Sequence, residues 1–190
     1  SDAIVGTAWV RCSFTGGTSA NYWARNNDHT LIDCDFIDSG DIGVRGDANR
    51  AFFKMQGCRV LDPGGVGIRI RLSAYGVICG TVISGAGSDG ILFDSGRLNW
   101  AIFNCTIDGS TGDGIDLGSA STDRCQIAGN VLSNNGGYGI NYAEHNSNVY
   151  AYNHYYNNTS GPTSYTEVDT DDRVTLMPRT TTSPRTPDLR

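Results

Sequence analysis

The stretch Asn104-Cys-Thr-Ile-Asp-Gly-Ser-Thr-Gly-Asp-Gly-Ile-Asp-Leu117 decides the fold. Two short runs of alternating inward and outward residues flank a corner of Gly, Ser, Thr and Asp, residue types that suit tight turns. The design recurs upstream as Cys34-Asp-Phe-Ile-Asp-Ser-Gly-Asp-Ile-Gly-Val44 and as Cys58-Arg-Val-Leu-Asp-Pro-Gly-Gly-Val-Gly-Ile68. It returns as Gly80-Thr-Val-Ile-Ser-Gly-Ala-Gly-Ser-Asp-Gly-Ile91 and as Gly129-Asn-Val-Leu-Ser-Asn-Asn-Gly-Gly-Tyr-Gly-Ile140. One aligned column reads Phe14, Phe36, Val60, Val82, Ile107, Val131 and Tyr155. A second reads Val44, Ile68, Ile91, Ile115 and Ile140, each preceded by Gly. A third, two residues before the first, reads Cys12, Cys34, Cys58, Gly80, Cys105, Gly129 and Asn153. A period of about two dozen residues with short strands in each repeat marks a β-solenoid, whose coils bury their apolar faces against one another. The prediction is an all-β chain: a single-stranded parallel β-helix of about six to seven coils over residues 1–160.

An irregular first coil is expected over residues 1–26, with Trp9-Val-Arg-Cys-Ser-Phe14 as a strand and Tyr22-Trp23 as an apolar patch. Regular coils follow over 27–49, 50–72, 73–96, 97–120 and 121–145, and a tyrosine-rich last coil begins at 146–158. The N-terminal end reads as uncapped, leaving apolar surface and a strand edge for a preceding segment or another chain to cover. Gly161-Pro-Thr-Ser164 breaks the repeat. Residues 161–190 read as a strand, Val174-Thr-Leu-Met177, and an extended Pro/Thr/Arg arm suited to capping the stack or docking on a neighbour.

Composition limits the partners. The formal net charge of −6 over 190 residues disfavours nucleic acid and anionic membrane. No apolar run approaches the roughly 20 residues that span a bilayer. The start, Ser-Asp-Ala-Ile, has no basic-then-apolar leader pattern, with removal of an earlier leader as the alternative. Six cysteines invite a disulfide reading, but those at one position of stacked coils have parallel Cβ vectors. Their Cβ atoms then stay about 4.8 Å apart, beyond the usual 3.5–4.5 Å of a bridge. They read as reduced core fillers, in keeping with assembly in a cytoplasm. No Cys-x-x-Cys pair suggests zinc, and neither a metal nor a cofactor is expected.

The pattern Asn-x-Val/Ile, a turn, then Gly-Ile-x-Leu, over residues 27–158, resembles the right-handed parallel β-helix, the pectate-lyase-like superfamily. The resemblance implies a right-handed coil and a choice of activities. Members include pectate and other polysaccharide lyases, polygalacturonases, alginate epimerases, and tailspikes or other virion proteins of bacteriophages. The closing Asn153-His-Tyr-Tyr-Asn-Asn-Thr-Ser-Gly161 is similar to the way small phage-encoded β-helix proteins finish.

Asp89 and Asp113 occupy the same slot one coil apart, and Asp116 shares a coil with Asp113. A glycosidase needs paired carboxylates, about 5–5.5 Å apart for retention or about 6.5–9.5 Å for inversion. Asp89, Asp113 and Asp116 are therefore the acid and base candidates of an enzyme reading. Thr111-Gly-Asp-Gly-Ile-Asp116 resembles the Asn-Thr-Asp-Gly-Ile-Asp stretch of polygalacturonases, yet that family's Gly-His-Gly and Arg-Ile-Lys are absent. The plainer reading of an Asp flanked by Ser and Gly is a corner residue bonding its own backbone. Asp33 and Asp35 are expected to project from one strand face, with Arg59 beside Asp35. Asp47, Arg71 and Asp94 are expected to alternate in charge down the stack. His29, His145 and His154 fall at unlike positions. Tyr142 and Tyr155 are expected inward, whereas Tyr138, Tyr150, Tyr152 and Tyr156 stand as outward candidates for stacking on sugar rings.

Two functions follow. One is a structural or adhesive β-helix of a phage-like virion (tailspike, fibre or capsid-decorating) with a homo-oligomer, a trimer foremost, or other virion proteins as partners and a cell-surface polysaccharide as ligand. Its place is the virion, assembled in the host cytoplasm. The other is a polysaccharide lyase or glycoside hydrolase acting on an acidic polysaccharide, and then secreted.

Overall fold

The computed structural model describes residues 6–25, 28–47, 52–71, 75–94, 99–118, 124–142 and 148–164. The first coil runs β1 (Thr7–Val10), β2 (Ser13–Thr15), β3 (Ala20–Ala24), and the second β4 (His29–Ile32), β5 (Asp35–Ile37), β6 (Ile42–Gly46). The third is β7 (Phe52–Gln56), β8 (Arg59–Leu61), β9 (Ile68–Ile70), and the fourth β10 (Tyr75–Cys79), β11 (Val82–Ser84), β12 (Ile91–Phe93). The fifth is β13 (Trp100–Phe103), β14 (Thr106–Asp108), β15 (Ile115–Asp116), and the sixth β16 (Gln126–Ala128), β17 (Val131–Ser133), β18 (Tyr138–Asn141). The last is β19 (Val149–Ala151), β20 (His154–Tyr156), β21 (Gly161–Thr163). Each coil gives its first strand to sheet A, its second to sheet B and its third to sheet C, so three seven-stranded sheets enclose one core. Each strand pairs in parallel with its equivalent one coil away.

The ends of the stack correct two expectations. The first coil is regular in its described part: β1 pairs with β4 from Thr7–His29 to Val10–Ile32, and Phe14 stacks on Phe36 at 5.1 Å. Gly161 does not break the repeat either, since β21 pairs with β18 and completes the last coil. The strand expected at 174–177 and the arm beyond it lie outside the described residues.

The inward column of sheet B is Phe14, Phe36, Val60, Ile83, Ile107, Leu132 and Tyr155. Val82 and Val131, assigned inward from the sequence, face out at 37% and 38% exposure, while Ile83 and Leu132 are fully buried. The cause is the corner between sheets A and B. One residue there adopts a left-handed conformation in every coil: Arg11, Asp33, Gly57, Gly80, Asn104, Gly129 and Tyr152. Gly80 and Gly129 belong to this corner and not to the cysteine column, which reads Cys12, Cys34, Cys58, Thr81, Cys105, Asn130 and Asn153. A one-residue slip turns every side chain to the other face.

That inward column explains the cysteines. Cys12, Cys34, Cys58 and Cys105 each direct Sγ at the carbonyl two residues back, and Thr81 Oγ1 does the same to Cys79. All six cysteines are free. Burial pushes the Cys58 thiol up to about 11 and that of Cys105 to about 12, so they are inert donors filling the corner. In the last two coils the column turns to Asn. Asn130 Oδ1 accepts the N–H of Cys105 at 2.9 Å, and Asn153 Oδ1 accepts that of Asn130 at 3.1 Å. Asn135 and Asn158 repeat the device at the next corner. Each side chain satisfies an amide that the coil's change of direction would otherwise bury unpaired.

The Gly before each Ile of sheet C serves close approach. A Cβ on Gly67 would collide with the carbonyl of Gly90 and with Ile83, and one on Gly114 would lie 2.6 Å from the Gly139 carbonyl and 2.9 Å from Leu132.

Candidate functional site

The Ile91–Ile115 register between β12 and β15 sets Asp89 over Asp113, and Asp116 closes a cluster with one oxygen from each carboxylate within 4.8 Å of the others. Asp89 Oδ1 accepts the Asp113 N–H at 2.8 Å. Asp113 Oδ1 accepts the Tyr138 N–H at 2.6 Å, and its Oδ2 accepts Asn141 Nδ2 at 2.8 Å. Asp116 Oδ1 accepts the Gly118 N–H at 2.8 Å. Asp116 thus bonds the backbone of its own turn. Asp89 and Asp113 bond the backbone of the following coil and knit the stack.

All three carboxylates are half-buried. Burial raises the Asp89 carboxyl above its usual range, and the nearby charge of Asp113 adds to the rise. Burial likewise raises Asp116, opposed by the Gly118 hydrogen bond and reinforced by Asp89 and Asp113. Such a cluster favours retention of a proton, which suits a general acid. It also offers hard oxygen donors of the kind a divalent cation takes.

The same outer face of sheet C carries a row not recognised in the sequence: Trp23, Arg45, Arg69, Leu92, Asp116, Asn141. The guanidinium carbons of Arg25 and Arg45 lie 3.3 and 4.4 Å from the centre of the Trp23 ring. The Trp23 Nε1–H donates to Asp47 Oδ2 at 2.9 Å, and Arg45 Nε to the same oxygen at 2.8 Å. Next along the stack, Arg69 and Arg71 both hold Asp94, each at 2.9 Å, so the alternation of Asp47, Arg71 and Asp94 is as expected. The face grades from aromatic and basic in the first three coils to acidic in the fourth and fifth. Recurrence of Trp23, Arg45 and Arg69 at one coil position was the available signal.

The remaining candidates are dispersed. Arg59 grips Asp35 through two bonds of 2.7 and 2.6 Å, and this holds the Asp35 carboxyl below its usual range. Asp33 does not share that face, because it sits at the left-handed corner with φ 52. His29 is buried and shares a 2.7 Å hydrogen bond between its Nδ1 and the Tyr22 hydroxyl, His154 is outward on β20, and His145 lies outside the described residues.

Tyr142 packs inward against Tyr150 at 5.1 Å between ring centres. Tyr150 itself points inward, correcting its assignment as a sugar platform, because it continues the buried Ile78, Ile102, Ile127 column of sheet A. Tyr152 is exposed at the corner between sheets A and B, Tyr156 on sheet B, and Tyr138 is half-buried beside the acid cluster. These tyrosines form no common platform.

A family model described as "Right handed beta helix region" matches residues 6–166. No curated protein and no solved structure matches the chain.

Proposed function

This chain belongs to the right-handed β-helix family, and from that premise we propose that it is a structural or adhesive protein of a phage-like particle that holds a surface glycan on the outer face of sheet C. The observation that carries the glycan reading is the Trp23–Arg25–Arg45–Asp47 assembly in line with Arg69, Arg71 and Asp94. Its guanidinium groups are braced by carboxylates and an indole face, so little side-chain freedom is lost when a polar chain settles along them. The particle setting draws its support from the resemblance of the coils and the closing segment to virion β-helices. Trp23→Ala and Arg69→Ala are each expected to weaken retention on immobilised polysaccharide at least tenfold while the melting temperature stays within a few degrees. Binding unaffected by either substitution sinks the reading.

A second reading, a polysaccharide lyase or glycoside hydrolase, is favoured by the upward shifts of Asp89 and Asp116. One of them would hold the proton for the leaving oxygen, with a second carboxylate of the cluster as base or nucleophile. Oxygens within 4.8 Å lie nearer the short, retaining separation than the longer one that leaves room for water. Reducing-sugar or unsaturated-product release from a polysaccharide panel, lost in Asp113→Asn, would establish it. No release from any member would dismiss it.

A further inference from the structure

We propose that the outer face of sheet A is a self-association surface that takes a second copy of this chain. The proposal goes beyond the glycan reading, which concerns sheet C. Of the three outer faces, sheet A alone is nearly free of charge. One outward row is Val10, Ile32, Gln56, Cys79, Phe103, Ala128 and Ala151, and the row beside it is Ala8, Thr30, Lys54, Val77, Ala101, Gln126 and Val149. Lys54 is the only charged side chain among the described residues of these two rows. Sheet B by contrast carries Asp35, Arg59 and Asp108 outward, and sheet C the arginines and aspartates described above. Val10 and Val149, at 51% and 53% exposure, lie at opposite ends of the face, and Thr30, Gln56 and Gln126 interrupt its apolar rows without adding charge.

Size and charge favour a second copy as the occupant. Seven strands about 4.8 Å apart, averaging four residues of about 3.3 Å each, make a face of about 34 by 13 Å. Two such faces together remove about 900 Å², the size of a weak, reversible contact, and so a dimer that forms in the micromolar range. A two-fold axis along the central strand, β10, avoids setting like charges together. It lays β7 of one copy on β13 of the other, so each Lys54 rests over Ala101 of the other copy. On the axis itself Val77 meets Val77 and Cys79 meets Cys79. With faces about 10 Å apart, the two Cys79 thiols come within reach of one short bifunctional reagent.

Sedimentation of the full chain across micromolar concentrations is expected to show a monomer–dimer equilibrium. Val77→Lys places two charges face to face and is expected to raise the dimer dissociation constant at least tenfold. Ala101→Asp sets a carboxylate against Lys54 of the other copy and is expected to tighten the dimer about threefold, a gain that misfolding would not produce. A bismaleimide with a spacer of about 8 Å is expected to join two chains, and not after Cys79→Ser. A monomer at every concentration, or an assembly indifferent to both substitutions, overturns the proposal and leaves the glycan reading standing. A trimer lost in Val77→Lys overturns the two-fold pairing.

Discussion

A single residue shows how a local conformation can outweigh chemical type. Tyr152, 76% exposed with φ 55, fills a corner that three other coils give to Gly57, Gly80 and Gly129. A bulky side chain in the left-handed region costs about 1 kcal/mol relative to Asn or Gly. Tyr152→Asn is therefore expected to raise the melting temperature by about 2–4 °C, read by differential scanning calorimetry. The carboxylates of Asp89 and Asp116 give a second expectation. Their folded values lie above the unfolded ones, so the fold favours the protonated forms. The stability tied to them is fully present below the ordinary Asp range and is lost as pH rises through the raised, folded values. Asp116→Asn keeps an acceptor for the Gly118 N–H while removing a charge. It is expected to melt with wild type near pH 3 and above it near pH 7. A constant offset at both pH values would contradict the assignment. Asp35 shifts in the opposite direction, but its pair with Arg59 is exposed and contributes little.

At the scale of the strand, legibility depended on which residue marks the corner. Periodic hydrophobicity revealed that strands recur, and it correctly aligned Val44, Ile68, Ile91, Ile115 and Ile140 because the preceding Gly is forced by carbonyl contacts from coil to coil. It failed at Val82 and Val131, where two apolar residues stand side by side and either can be read as inward. The left-handed corner decides between them, and Gly there carries no apolar signal. Ile83→Ala removes a fully buried side chain and is expected to cost about 2–4 kcal/mol. Val82→Ala, half a turn of the pleat away, is expected to stay within about 0.5 kcal/mol. Urea denaturation of the two variants tests the register directly, and equal losses would contradict it. The same geometry explains why Tyr150, neighbour to an outward Val149, belongs to the core.

For the molecule as a whole, each coil touches only the coils on either side, so stability is a sum of local and nearest-neighbour contributions. Asn153 Oδ1 receives both the backbone and side-chain N–H groups of Asn130. Asn153→Ala strands those donors, and hydrogen exchange is expected to accelerate across residues 124–164 while protection over 29–60 is unchanged. Uniform acceleration would mean that the stack opens as one unit. The order of the repeat, the all-β solenoid and the pairing of Asp89 with Asp113 were determined by the sequence alone, because stacking forces equivalent residues to recur at one period. Only the tertiary structure decided which member of an apolar pair faces the core. It alone joined Trp23, Arg45 and Arg69 into one surface row, and it alone left sheet A with an outer face almost without charge. Those properties depend on where the corners turn, and a corner is a backbone conformation stabilised by the neighbouring coil, adopted by Arg, Asp, Gly, Asn and Tyr alike and so not marked by residue type.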